Sequence, residues 1–174
     1  MSGGAAAIEG RASEARSILV FILGGRLCAL PSSAVAEIVF LPALARPPGA
    51  PSFVEGFMNL DGRAVPVIRL ERLFDLPPSE FNLYAPVIVM KGAGPMAVLV
   101  DQVRDVRRAP QAEILEVNAD SVFGGCLDAE IGTDDGIVHL LSPSRLLLTQ
   151  EARRLDEFKK REQERLASLE EVEA

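Results

Sequence analysis

Short apolar runs separated by turn residues recur along most of the chain, and this pattern predicts many short β-strands. Ile18 to Leu23 is the first predicted strand, and Arg26 to Leu30 returns as the second. Between them, Gly24-Gly25 supplies the positive φ angles that a tight hairpin turn requires. The described pattern therefore begins with a β-hairpin, which ends at Pro31.

The clearest local signal is a second hairpin. Val54 to Leu60 and Arg63 to Leu70 are rich in apolar residues, and Asp61-Gly62 joins them. An Asp-Gly pair between two such runs predicts a type I′ turn, because both central residues of that turn need positive φ. Pro66 has no N–H to donate to a neighbouring strand, so it predicts a sheet edge or a bulge at this point.

The second half of the chain repeats this texture. We expect a strand at Ala85 to Met90, a long bent strand at Met96 to Arg107, and a hairpin of Cys126 to Ile131 with Ile137 to Leu141. Two successive sets of strands, each finished by a short helix, indicate two small barrels packed together, since barrels remove exposed strand edges. The predicted short helices are Ser32 to Ile38 (capped by Ser32 or Ser33), Glu71 to Leu76, Ala112 to Val117 and Pro143 to Leu148.

The segment from Glu151 to Glu173 differs from the rest because it has no Gly or Pro and is rich in Glu, Arg, Lys and Leu. Its apolar residues recur at roughly helical spacing, which predicts a C-terminal helix with one weakly apolar face. Glu162 interrupts that face, so we expect the helix to dock only in part and the barrels to stay folded when the chain is cut after Gln150. The apolar residues of the face are Leu155, Phe158, Leu166, Leu169 and Val172.

Charge and composition narrow the class of protein. Lys and Arg number 18 against 25 Asp and Glu, a formal net charge of −7, and an acidic surface repels phosphate backbones, so we expect no nucleic-acid partner. No run reaches the roughly 18 to 20 apolar residues that span a bilayer. Residues 1–16 lack the features of a signal peptide and are interpreted as a disordered leader. Cys28 and Cys126 are predicted to be small buried side chains, which fits a reducing cytoplasm.

Sequence motifs for catalysis are missing. The chain has no Gly-x-Ser-x-Gly elbow, no His-Glu-x-x-His pair and no Gly-x-x-x-x-Gly-Lys-Ser/Thr phosphate loop. Its carboxylates are dispersed, and its one histidine, His139, lies in an apolar run without a neighbouring carboxylate or cysteine in sequence. We therefore expect no enzyme activity, no metal site and no cofactor. A small β-barrel enzyme or ligand-binding protein is the alternative from a different class.

Three segments together resemble the CheW family of chemotaxis coupling proteins. ILVFILGGRLCALPSSAVAEIV is similar to the family's first strand pair and its Val-x-Glu-Ile helix. FVEGFMNLDGRAVPVIRLERLF resembles its most recognisable stretch, a Gly-x-x-Asn-Leu-Arg-Gly hairpin followed by Val-Pro-Val-Ile-Asp-Leu. APVIVMKGAGPMAVLVDQVRDV resembles a strand–turn–strand that ends in Val-Asp-x-Val-x-Asp-Val, and GIVHLLSPSRLL matches the last strand and short helix less tightly. The resemblance covers about Ser17 to Leu148.

This resemblance implies a mainly β fold of two SH3-like five-stranded β-barrels packed together with short helices, and the helical spacing described above adds a C-terminal α-helix at 151–174. The CheW-like domain is expected at 17–150, with one barrel at 17–80 and the other at 81–150. The resemblance also implies a non-catalytic cytoplasmic adaptor. Such an adaptor couples the regulatory domain of the histidine kinase CheA to methyl-accepting chemotaxis receptors in arrays at the inner face of the membrane, without inserting into it. A CheW-like scaffold of a parallel pathway, controlling surface motility or a second messenger, stays open as an alternative.

The family's partner contacts carry over to the predicted short helix, the Asp61-Gly62 hairpin and the long strand. Some of these residues also have structural explanations: Gly62 as a turn residue, Gly56 as a bulge or a close backbone approach, and Asn59 as a partner of the turn. Asp61 and Arg69 depart from the family, which usually has Arg and Asp there, and the departures point to a specialised receptor or kinase. The carried-over positions are Val35, Glu37, Ile38, Gly56, Asn59, Asp61, Gly62, Arg63, Val103 and Val106.

Overall fold

Strands dominate the structure, as the alternation of apolar runs and turns predicts. The structure is a computed structural model and describes residues 16–78, 80–81, 83–92, 95–109, 114–115, 123–147 and 149–173. Single 3₁₀ turns lie at Ser32–Ala34, Gly124–Cys126 and Pro143–Arg145. The strands and α-helices of the described residues are β1 Arg16–Leu23, β2 Arg26–Pro31, β3 Val35–Phe40, β4 Val54–Leu60, β5 Arg63–Ile68, α1 Leu70–Leu73, β6 Pro86–Met90, β7 Ala97–Leu99, β8 Gln102–Ala109, β9 Ile114–Leu115, β10 Leu127–Thr133, β11 Gly136–Leu141 and α2 Thr149–Glu173.

The strands form two mixed sheets. One has six strands in the order β8-β1-β2-β11-β10-β9, and the other has five in the order β3-β6-β7-β5-β4. Each sheet contains one parallel pair, β2 with β11 and β5 with β7, while the other pairs are antiparallel. The predicted class, mainly β with two small β units and a C-terminal helix, is confirmed, although one of the two units that were expected to have five strands has six.

The predicted division into barrels at 17–80 and 81–150 does not follow the strands. The five-stranded sheet takes every strand from β3 to β7, whereas the six-stranded sheet joins β1 and β2 to the strands from β8 onward. The pairing that decides this is β2 with β11, in which Cys28 lies opposite His139. Local apolar patterns carry no information about a pairing between residues so distant in sequence.

Most strands are buried on both faces, which explains why they are apolar runs rather than alternating patterns. In β1, Leu19 and Phe21 point into a main core that both sheets share, while Ile18 and Val20 point into a second cluster inside the six-stranded sheet. A third cluster, which includes Val87 and other residues of β4 to β7, fills the five-stranded sheet.

The helix predicted at Ser32 to Ile38 is wrong. Only Ser32–Ala34 form a 3₁₀ turn, and this turn has no side-chain cap. Val35–Phe40 is a strand that pairs antiparallel with β6, so that Ile38 lies opposite Ile88. The β-branched side chains of this segment favour the extended backbone, and pairing with β6 outweighs the weak capping signal of the serines.

Three further predictions differ from the structure. The single bent strand expected at Met96 to Arg107 is two strands in different sheets, β7 and β8. Asp101 holds the junction between them: its carboxylate accepts a hydrogen bond from Gly24 N at 2.8 Å, and its N–H donates to Ile22 O at 3.0 Å. The helix expected at Ala112 to Val117 contains β9 instead, and its other residues lie outside the described part. Of the predicted leader, residues 1–15 also lie outside it, and Arg16 already belongs to β1.

The C-terminal helix docks more firmly than its sequence indicates. Leu155 and Phe158 are buried in the main core, so the first half of α2 is part of the fold. Glu162, which interrupts the apolar face, is itself only 6% exposed. Farther along, Leu169 is 47% exposed, so docking weakens toward the end of the helix. Neither of the two described α-helices combines the length and apolar character that a membrane span needs.

Candidate partner-binding site

The hairpin of β4 and β5 carries five of the ten predicted contact residues, and its turn has the predicted geometry. Asp61 has φ 52° and Gly62 has φ 84°, so both central residues are left-handed as a type I′ turn requires. Asn59 Oδ1 accepts a hydrogen bond from Gly62 N at 2.8 Å. Asn59 therefore fixes the turn, while the Asp61 and Arg63 side chains are exposed at its tip.

Gly56 admits the protein's own backbone. A Cβ at this buried position would lie 2.7 Å from Leu44 Cβ and 2.8 Å from Ala45 O, closer than real Cβ atoms approach. Ala45 forms a bridge with Phe57 through two hydrogen bonds, Ala45 N to Phe57 O at 2.9 Å and Phe57 N to Ala45 O at 2.8 Å. Of the two structural explanations for Gly56, close approach accounts for it directly, and a register shift between Val54 and Gly56 adds a bulge.

Helix α2 covers the other side of the hairpin. The N–H and C=O of Phe57 both bond to Ala45, so the backbone of Pro66, which lies opposite Phe57, makes no hydrogen bond to β4. On its other side, β5 pairs with β7 only from Val67 onward. Pro66 therefore lies on a local sheet edge, as predicted. Gln163 occupies that edge: its Oε1 accepts from Ala64 N at 2.9 Å and its Nε2 donates to Gly62 O at 3.0 Å. Gln163 was not predicted as a contact residue, because nothing local in the sequence marks a helix residue that binds a strand edge so far away.

A groove at the hairpin tip brings several predicted contacts together. This hairpin groove has a volume of about 370 Å³ and is lined by Glu37 from β3, Asp61 and Arg63 from the hairpin, and Lys91 from the β6–β7 turn, among others. Partial burial lowers the pKa of Lys159 on α2, the charge of Arg63 lowers it further, and Asp156 acts in the opposite direction. The groove therefore carries charged side chains of both signs next to apolar residues such as Leu60 and Met90.

The remaining β3 contacts differ in exposure. Val35 is half-buried and packs against the main core, whereas Ile38 is exposed on the edge strand of the five-stranded sheet. At the end of β3, the Phe40 ring is 70% exposed and meets the 75% exposed Tyr84 ring edge-to-face, with centroids 6.1 Å apart. With the exposed Leu83 they form an apolar patch (Phe40, Leu83 and Tyr84). This patch was not predicted from the sequence, because the exposure of aromatic residues depends on the tertiary fold.

The last two predicted contacts lie in the other sheet. Val103 packs against the main core, and Val106 is 62% exposed on β8, the edge strand of the six-stranded sheet. The structure therefore brings Glu37 together with the hairpin tip and leaves Val103 and Val106 on a separate strand.

Arg69 does not serve as a surface contact. Its side chain is largely buried, donates from Nε to Glu71, lies 3.4 Å through Nη1 from Glu55 Oε2, and stacks over the Phe81 ring at 4.8 Å. Glu55 is also shared with Arg46 and Arg72. This departure from the family pattern is therefore compensated inside the molecule, which leaves Asp61 as the exposed departure.

The Cys28 thiol and the His139 imidazole, two potentially reactive groups among the described residues, are buried and half-buried, respectively. Burial raises the pKa of the Cys28 thiol to about 12, so it is not a nucleophile at neutral pH. Burial lowers the pKa of His139, whose Nδ1 lies 3.8 Å from Glu130 Oε1 without a hydrogen bond, so the imidazole is neutral and packs against Phe123. Across the described ranges no group of three or more His, Cys, Asp or Glu is arranged to hold a metal ion.

Comparison with known proteins supports the assignment made from the three segments. A family model described as CheW-like domain matches residues 17–151. The chemotaxis protein CheW of Thermotoga maritima is 25% identical over 100 residues, which span 58% of this chain and 66% of that protein. The crystal structure of scaffolding protein TtCheW from Thermoanaerobacter tengcongensis has the same fold, with a TM-score of 0.72 at 24% identity over 78% of this chain and 90% of that one.

Proposed function

This chain belongs to the CheW-like family of non-catalytic scaffold domains, and we propose that it couples the histidine kinase CheA to methyl-accepting chemotaxis receptors. In this role it works in the cytoplasm, in receptor arrays at the inner face of the membrane. An adaptor needs two surfaces that different partners can occupy at the same time. The observation that supports the proposal is that strand β3 contributes to two separate exposed surfaces, the hairpin groove through Glu37 and the apolar patch through Phe40.

The chemistry of the two surfaces assigns a partner to each. The hairpin groove carries Glu37, Asp61 and Arg63, so it suits a partner recognised through charged side chains, which we assign as the receptor. The apolar patch presents two aromatic rings, which are typical of the buried centre of an interface between folded domains. We assign it to the regulatory domain of the kinase.

One experiment tests both assignments. Purified regulatory domain of CheA and cytoplasmic receptor fragments from the source organism are titrated with the wild type, with Asp61→Arg and with Phe40→Ala. We expect Asp61→Arg to weaken receptor binding in a salt-dependent way and to change kinase affinity by less than about 1 kcal/mol, the usual scale for an exposed ion pair. Phe40→Ala should weaken kinase binding by about 2 kcal/mol, as at interface hot spots, and spare the receptor.

Asp134→Arg is the matched control, since it makes the same charge change at an exposed turn of the other sheet. If kinase affinity collapses in Asp61→Arg while receptor affinity holds, the two surfaces are assigned the wrong way round. If neither partner binds the wild type, the adaptor function itself is wrong.

A further inference from the structure

The two halves of α2 are attached to the protein in different ways. The first half inserts Leu155 and Phe158 into the main core. The second half, residues 162–173, is named here the cover segment. Its described contacts with the sheet are mostly polar, and Ala167, Ser168, Leu169 and Glu170 are exposed. The helix is thus anchored at one end and held by hydrogen bonds at the other.

The polar attachment falls on the hairpin that carries the predicted receptor contacts. Gln163 binds Gly62 O and Ala64 N, the two backbone groups that flank Arg63. Two helical turns farther on, the Glu170 carboxylate reaches the hairpin turn itself, because a Cβ on Gly62 would lie 3.1 Å from its Oε1. A partner that approaches the tip from this side meets the cover segment first.

The cover segment is also poorly suited to permanent docking. Glu162 is a buried carboxylate whose ion pair, at 3.0 Å, is with Arg165 of the same helix, and the Arg165 side chain is 52% exposed. Burying a carboxylate costs more than burying an apolar side chain of similar size. The last turn of the helix has no basic residue, and Glu170 lies near the negative end of the helix dipole, so the helix end gains no stabilisation there.

We propose that the cover segment is a displaceable cover over the β4–β5 hairpin, and that receptor binding competes with its docking. The inference rests on the proposed function, since it assigns a regulation to the same hairpin. When the cover segment detaches, the Gln163 bonds break and the edge of β5 at Gly62 and Ala64 becomes available. Once detached, the cover segment loses the tertiary contacts that supply most helical stability in proteins, so displacement should also fray this end of the helix.

The first test removes the two hydrogen bonds of Gln163. Gln163→Ala deletes both hydrogen bonds, and Glu164→Ala is the matched control at the adjacent exposed position. In Gln163→Ala we expect faster hydrogen exchange at the Ala64 amide and tighter binding of the receptor fragment, by roughly 5-fold for about 1 kcal/mol of lost docking. The control should change neither quantity. Faster exchange without tighter binding would overturn the competition.

The second test strengthens the docking of the cover segment. Glu162→Leu replaces the buried carboxylate with an apolar side chain, so docking should tighten and receptor affinity should fall by a similar factor, while the affinity of the CheA regulatory domain stays the same. Opposite shifts in the two variants support the cover, because a general loss of folding moves both affinities downward. Equal receptor affinity in both variants argues against it.

A reciprocal measurement uses the unmodified protein. Hydrogen exchange of residues 162–173 is followed while the receptor fragment is added, and a competing partner must raise the exchange rate of these amides. Amides that stay protected in the complex would show that the helix remains docked and would refute the inference, although receptor binding stands. A wild type that binds no receptor fragment refutes the proposed function, and the cover loses its role with it.

Discussion

The β4–β5 hairpin and strand β8 both carry predicted contacts, but they are supported differently. The hairpin is held from outside its sheet by the Ala45 bridge on one side and Gln163 on the other. Strand β8 is an edge strand whose sheet partner is β1, and Val106 points into solvent. Substitutions that disturb these two supports are therefore expected to change stability and binding together, whereas a substitution of the exposed Val106 on β8 should change binding alone.

The largest expected effect comes from removing the helix that supports the hairpin. A chain cut after Gln150 loses Leu155 and Phe158 from the main core, and burial of two such side chains is worth at least about 4 kcal/mol. This revises the expectation that the barrels stay folded without the helix, because such a loss is a large part of a typical domain's stability. Urea denaturation of the chain cut after Gln150 and of a chain cut after Arg161, which keeps Leu155 and Phe158, measures the difference. Equal midpoints would show that α2 contributes nothing to the core.

A smaller effect is expected at the Ala45 side of the hairpin. Gly56→Ala places a Cβ against Leu44 and the Ala45 carbonyl, so the bridge must shift, and we expect a loss of about 1 to 3 kcal/mol. Gly132→Ala is the control, since a Cβ there has no atom within 4 Å. Thermal unfolding of both variants gives the comparison. Wild-type stability in Gly56→Ala would mean that the 41–50 segment is not held against β4.

A pH titration examines the sheet that contains β8. Burial lowers the pKa of His139, the charge of Arg26 lowers it further, and Glu130 opposes both. The unfolded chain then binds a proton that the folded chain resists, so stability falls as the pH drops below about 6.5. His139→Gln should flatten this fall between pH 7.5 and 5.5 in urea titrations. An unchanged slope would assign the acid sensitivity to other groups.

The smallest effect on stability is expected on β8. Val106→Lys replaces an exposed side chain on an edge strand, where substitutions usually stay within about 0.5 kcal/mol. If Val106 contacts a partner, kinase or receptor affinity falls while the unfolding midpoint stays constant. A fall in the midpoint instead would contradict the proposed difference between β8 and the hairpin.

The parts of the fold that depend on neighbouring residues alone, such as turns and strand edges, were predicted correctly from the sequence. Asp61-Gly62 predicted the type I′ turn because the turn requires positive φ, and Pro66 predicted the local edge because it has no N–H. The segment after Pro31 was predicted wrongly as a helix. Its extended conformation is determined by pairing with β6, and a serine that could cap a helix gives no information about that pairing. The same holds for the division at residue 80, which the distant pairing of β2 with β11 overrides.

The candidate site shows the same limit. Glu37, Asp61 and Arg63 were predicted from the family resemblance, and the structure places them in one groove. The compensation of Arg69 by Glu55 and Glu71 was not predicted, because it depends on the strand that carries Glu55 meeting the segment of Arg69 and Glu71 in space. Gln163 and the apolar patch were missed for the same reason: a glutamine on a helix and two aromatic residues far apart in sequence carry no local signal of their contacts.

The distribution of strands between the sheets also sets the order in which the chain can assemble. Strands β3 to β7 follow one another in sequence, so the five-stranded sheet can complete its pairings while the chain is still being synthesised. The β1–β2 hairpin must wait for β11, and until then the backbone of Cys28 and Ala29 is an unpaired edge. Non-local closure of the six-stranded sheet is therefore expected to limit the folding rate, and the waiting β2 edge is expected to be a place where nascent chains aggregate.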